Sequence, residues 1–147
     1  MMNIGKFKQW LFFGSFTLGA LILDQVSKGW ARSQEWVHVQ QNTGIALGIQ
    51  LPSFLQTVGS ILILFLLLWV GVVDLFSSRE HPFLNPILLG VIVGGAAGNL
   101  VDRWLMGSVT DFILLAPFPV FNVADVCITV GLVLLLYANR STLRVKS

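Results

Sequence analysis

"FLNPILLGVIVGGAAGNLVDRW", residues 83–104, runs without a charge to Val101 and then meets Asp102 and Arg103. About 20 consecutive apolar residues cross a hydrocarbon core as a helix, so the stretch reads as a membrane span that reaches an aqueous edge in its last turn. Gly90, Gly94 and Gly98 recur at every fourth position, a spacing of small residues that lets helix backbones approach closely in lipid. Asn99, Asp102 and Arg103 follow at i, i+3 and i+4 and share one helix face. A charge in a span costs roughly 2.5–3.5 kcal/mol on insertion scales. These groups therefore face partners inside a bundle, either as a hydrogen-bond network that lines it or as a reaction site.

The rest of the chain supplies the bundle. Residues 54–73 are uncharged, and a second span is expected over about 54–76. The run 9–23 reaches span length when it continues through Asp24 to Trp30, and 121–138 forms another span with Asp125 near its start. Four transmembrane helices are thus expected at about 9–30, 54–76, 83–104 and 121–138, in one membrane domain covering 1–147. The fold class is an all-α membrane protein. With 55% apolar and 11% charged residues and a mean hydropathy of +0.81, a water-soluble fold is excluded. The net charge is +2 and the basic residues are dispersed, which excludes a nucleic-acid surface. One cysteine, Cys127, permits no intramolecular disulfide and reads as a small buried apolar residue. Lys6 and Lys8 precede an apolar core as in a secretory signal, but three spans follow, so an uncleaved anchor is expected.

Basic residues orient the bundle. Lys6 and Lys8, then Arg79, then Arg140, Arg144 and Lys146 flank the spans on one side, which becomes the cytoplasmic side with both termini. Loops 31–53 and 104–120 then face outward, with His38 outside and His81 inside. Trp10, Trp30, Trp36 and Trp104 lie near span ends, as interfacial anchors do. Asp24, Asp102, Asp111 and Asp125, four of the seven carboxylates, collect at the outer edge.

Each constellation has an ordinary reading. Asp24 and Lys28 in "LDQVSK" are spaced i, i+4, as in any helix-stabilising pair, or they form a polar wall beside a site. In "FNVAD", Asn122 suits an N-cap and Asp125 its reciprocal capping-box partner. Asp111 in "GSVTDF" weakens the purely structural reading. It precedes another apolar stretch, and the prolines of "APFP" favour a turn that returns Asp111 towards Asp125. Two carboxylates brought together hold one proton between them near neutral pH. One then activates water while the other polarises a carbonyl, as in peptide hydrolysis by an aspartic dyad. Two histidines on opposite sides serve no common metal or triad, no HExxH is present, and Ser27 and Lys28 point about 100° apart on a helix.

"LDQVSK" (23–28), "NTGIALG" (42–48), "GGAAGNLVDR" (94–103), "GSVTDF" (107–112) and "FNVAD" (121–125), in this order, closely resemble the bacterial lipoprotein signal peptidase family, the type II signal peptidases. The resemblance implies a four-helix aspartic endopeptidase of the cytoplasmic (inner) membrane with an outward active site. It implies a small β-structured platform in the first outer loop, for which "WVHVQQNTGIAL" (36–47) has suitable residues. The implied partners are prolipoprotein substrates with a diacylglyceryl-cysteine, cut on the amino side of that cysteine, and membrane lipid; no oligomeric partner follows. No metal and no organic cofactor is implied. Asp111 and Asp125 match the catalytic pair. Asp24, Lys28, Asn42, Gly98, Asn99, Asp102, Arg103, Asn122 and Ala124 match positions that support the site or hold substrate. Ile45 and Leu47 depart from the usual Asn-x-Gly-Ala-Ala-Phe and leave the loop's substrate contacts open. Two other readings of the residues are a small proton-coupled transporter, with a carboxylate as relay, and a non-enzymatic scaffold that uses the glycine stripe as its interface.

Overall fold

In the computed structural model, which describes residues 4–45, 49–50, 53–70 and 81–140, the helix that carries the glycine stripe is surrounded by three others. This is α3 (Leu84–Met106), and it packs against α1 (Ile4–Ser33), α2 (Ser53–Val70) and α4 (Val123–Ala138). The chain is an all-α membrane protein with four helices and a small β-structured platform. α1 and α3 are long and apolar enough to cross a membrane; α4 is a shorter apolar helix.

Residues 71–76 of the expected second span lie outside the described residues, as do Leu47, Arg79, Arg144 and Lys146. α4 begins two residues later than its expected start because Asn122 is its N-cap rather than part of the helix. α3 ends at Gly107, whose φ of 72° is the left-handed conformation glycine tolerates, with its N–H bonded to the Arg103 carbonyl.

The glycine stripe fulfils two tasks. A Cβ on Gly90 would lie 2.6 Å from the Phe13 carbonyl oxygen, and one on Gly94 would meet the Thr17 carbonyl and lie 2.7 Å from the Ala20 Cβ. These two positions set the close approach of α1 and α3. One turn on, a Cβ on Gly98 would strike the Asp24 carboxylate instead. The stripe therefore begins as a packing surface and ends as room for a charge.

The platform expected in the first outer loop is present and extends beyond that loop. β2 (Gly44–Ile45) pairs with β3 (Ile49–Gln50) inside that loop, but β1 (Gln40–Asn42) pairs antiparallel with β4 (Val109–Asp111), which follows α3. The register sets Gln40 opposite Asp111 and Asn42 opposite Val109. Ladder bonding needs a partner edge, and the turn at Gly107 brings one within reach. Cys127 is half-buried rather than buried, beside an apolar groove lined by Ser15, Phe16 and Gly19. All four tryptophans named above are exposed, and Trp30 stacks edge-on with Trp36 at 5.7 Å.

Gly94→Leu should separate α1 from α3 and lower the unfolding temperature in detergent, since overpacking costs about 1–3 kcal/mol. Gly14→Ala, where a Cβ meets nothing within 4 Å, should be neutral or slightly stabilising. Equal losses in the two variants would remove the close-packing role.

Candidate active site

The start of α4 shows how local sequence preferences aim a carboxylate. Pro117 and Pro119 disfavour an earlier helix start, and Asn122 is extended, with φ −132° and ψ −179°. The Asn122 Oδ1 accepts the Asp125 N–H at 3.0 Å, and the Asp125 Oδ2 accepts the Asn122 N–H at 3.1 Å. This is the capping box expected from the residues. The same asparagine also reaches outside the helix. Its Nδ2 donates to Asp111 Oδ1 at 2.6 Å, so one residue holds both carboxylates, Asp111 through its side chain and Asp125 through its backbone N–H.

Each carboxylate has a further amide donor. Asn42, on β1, donates to Asp111 Oδ2 at 2.8 Å. Asn99, on α3, donates to Asp125 Oδ1 at 2.9 Å. The orientation of Asn99 is chemically determined, because its Oδ1 accepts from Lys28 Nζ at 2.9 Å and an ammonium can only donate.

Behind the two carboxylates lies a buried ionic layer. Lys28 pairs with Asp24 at 2.8 Å and with Asp102 at 3.4 Å. Asp24 Oδ1 accepts the Ala124 N–H at 2.9 Å, and Asp102 Oδ2 accepts the Thr110 N–H at 2.9 Å. The ion pairs on α1 and α3 thus fix the backbone next to Asp125 and next to Asp111. Asp24 and Lys28 are more than a helix-end pair.

Three contributors were not singled out from sequence. Gln25 donates to Asp24, Asp102 and the Gly98 carbonyl. Arg32 donates to Thr110 Oγ1 at 2.9 Å and lies 3.9 Å from Asp102. The i+4 spacing of Arg32 from Lys28 was a usable signal. Nothing local marked Thr110, which is fully buried.

A cavity of about 970 Å³ opens over this layer, with Asn42, Asn99, Arg103, Asp111 and Asp125 on its polar wall. The Arg103 Nε is buried in the site without a hydrogen-bond acceptor among the described residues. Apart from Thr129, the rest of the lining is apolar and includes Ile63 of α2, Phe118 and Phe121 of the loop before α4, and Val126 and Val130 of α4. Asp111 is 2% exposed. Burial pushes its carboxyl above the usual carboxylate range, partly offset by the Asn42 and Asn122 hydrogen bonds, while the Asp125 charge pushes it up further. All the residues singled out from sequence, Asp24, Lys28, Asn42, Gly98, Asn99, Asp102, Arg103, Asp111, Asn122, Ala124 and Asp125, come together at this one end of the bundle.

Residues 16–140 match the family model described as signal peptidase (SPase) II. A lipoprotein signal peptidase of Syntrophomonas wolfei is 37% identical over 140 residues, covering 85% of this chain and 89% of that protein. One from Acaryochloris marina is 34% identical, covering 91% of each chain. A solved structure described as a bacterial membrane enzyme superposes with a TM-score of 0.74 at 25% identity, covering 90% of this chain and 89% of its own.

The raised folded-state pKa of Asp111 has a signed consequence. Its contribution to stability is fully present below the unfolded-state value and is lost as pH rises through the folded-state value. Asp111→Asn, which does not titrate, should gain stability relative to the unmodified chain as pH rises from about 3 to about 7. Thermal unfolding in detergent reads the difference; a gap that narrows with rising pH contradicts it.

Proposed function

Because the chain belongs to the signal peptidase II family, we propose that it is a membrane-embedded aspartyl endopeptidase with Asp111 and Asp125 as its catalytic pair. The family removes signal peptides from prolipoproteins. The finer reading is cleavage on the amino side of a diacylglyceryl-modified cysteine. One observation carries the assignment of the pair: Asn122 holds a carboxylate on either side of itself, and both line one cavity.

In this cycle the ionised Asp125 accepts a proton from a water as that water attacks the scissile carbonyl carbon. The protonated Asp111 donates a hydrogen bond to the carbonyl oxygen and then transfers its proton to the departing nitrogen. The two carboxyls end with their protonation exchanged and reset by proton transfer. The buried, acceptor-free Nε of Arg103 suits a substrate carbonyl or the oxyanion that forms from it. Asn42, Asn99 and Asn122 orient the pair; Asp24, Lys28, Asp102, Ala124 and the space at Gly98 hold the scaffold behind it. No cofactor is required.

Two features favour Asp111 as the resting proton carrier. Burial raises its pKa. Asp125 sits in the first turn of α4, where the helix dipole favours a negative charge. In this reading residues 1–147 form one protease domain of the bacterial inner membrane, with both termini cytoplasmic and the site near the outer face. Confinement of a lipid-anchored substrate to the same plane raises its local concentration at that depth.

Purified protein given a diacylglyceryl-modified preprotein should release its signal peptide. Asp111→Asn and Asp125→Asn should each lower the rate by at least about 10²-fold, the low end for general acid–base groups. Cleavage that survives either substitution overturns the dyad. An infrared protonated-carboxyl band should vanish in Asp111→Asn and persist in Asp125→Asn; the reverse places the resting proton on Asp125.

A further inference from the structure

The loop between the two carboxylates is a hairpin with an unusual tip. Backbone bonds close its base: Ile113 N–H donates to the Phe121 carbonyl at 2.8 Å and Phe121 N–H to the Ile113 carbonyl at 3.1 Å. Phe118 N–H closes the turn onto the Leu115 carbonyl at 2.9 Å. The tip, "LLAPFP" at 114–119, carries no charged or hydrogen-bonding side chain, and all six residues are exposed. Leu114 is 68%, Leu115 57% and Phe118 61% exposed. Removing such side chains from water is favourable, so a tip held in water forfeits that gain.

The tip continues an exposed apolar surface of the bundle. Trp104 and Leu105, at the end of α3, are exposed apolar residues at the same end of the bundle. Leu115 and Phe118 share the cavity mouth with Ile63 of α2 and Val126 and Val130 of α4, which are exposed on membrane helices. α2 packs mainly on α3, and the cavity lies beside it with α2 and α4 side chains in its walls. Its mouth is thereby rimmed by the residues that meet the bilayer.

We propose that the 113–121 hairpin is a tongue seated in the outer leaflet, with lipid acyl chains next to the headgroups as its partner. The bonds that close it set the depth. They satisfy the amides of Ile113, Phe118 and Phe121, and Pro117 and Pro119 have none to satisfy. The remaining amides of the tip still call for water, which is absent from the hydrocarbon core but present at its boundary. The tongue therefore rests at the interface. Its base carries Asp111 on one strand and leads directly into Asn122 and Asp125 on the other, so the leaflet that holds the tip also registers the two carboxylates against the membrane.

The test uses the full chain with Cys127→Ser and Phe118→Cys, labelled with an NBD fluorophore, in nanodiscs of phosphatidylcholine and phosphatidylglycerol. Leu114→Cys provides a second labelling site should the first variant unfold, and thermal unfolding reports the fold of each. The label should emit to the blue of its value in detergent-denatured chain. It should be quenched more by lipids with a doxyl group near the headgroup end of the acyl chain than by doxyl at the chain terminus. Iodide in the buffer should quench it little. Iodide quenching without doxyl quenching overturns the proposal, as does stronger quenching by chain-terminal doxyl. Quenching by neither, with emission that depends on protein copies per disc, overturns it in favour of a second copy of this chain. The outcome is independent of whether Asp111 and Asp125 perform hydrolysis.

Discussion

The Lys28 ammonium has no exposure to solvent and sits on a helix of a membrane protein. A charge in that position is sustained only by partners, and their geometry propagates through the molecule. Asp24 and Asp102 neutralise it, and Asn99 takes its third contact. Each carboxylate also accepts a backbone N–H of a different element, Asp24 that of Ala124 on α4 through its other oxygen and Asp102 that of Thr110 on β4 through the oxygen that faces Lys28. Removing one member of a buried ionic group typically costs about 3–5 kcal/mol, because the others are left uncompensated. The layer thus works as a rigid joint between α1, α3, β4 and α4, the elements that carry the carboxyl groups of the site.

The joint explains a division of labour between neighbouring residues. Asp24 and Asp102 are buried behind the cavity and act on backbone; Asp111 and Asp125 line the cavity itself. All four are aspartates at one end of the bundle, yet their environments differ. The first two face a cation directly. The second two face amides of asparagine, which supply donors but no full charge.

Packing follows the same economy of space. α1 and α3 meet across Gly90 and Gly94, and the contact continues until Gly98 makes room for Asp24. Close helix approach is what brings short side chains such as Asp24 and Asp102 within reach of one ammonium. The apolar exterior, including Phe65, Leu66 and Leu136, gives the inverse of a soluble protein: charge inside, hydrocarbon outside.

Much of this was legible in the chain. Uncharged runs determined where the four described helices lie, because lipid admits few alternatives to a helix. The i, i+3 and i+4 spacings on α1 and α3 determined which polar groups share a face, and "FNVAD" determined the capping box, since these are local geometries. Resemblance of five ordered motifs supplied the family, and with it the residues to watch. Distance across the fold was not legible. That Asn122 serves Asp111 as well as its own helix, that β1 finds its partner in β4, and that Thr110 and Arg32 belong to the joint were decided only by the tertiary structure. Those contacts join residues on different elements, 8 to 78 positions apart, and no periodicity encodes them; they exist because a buried charge must find its partners wherever the packed helices bring them.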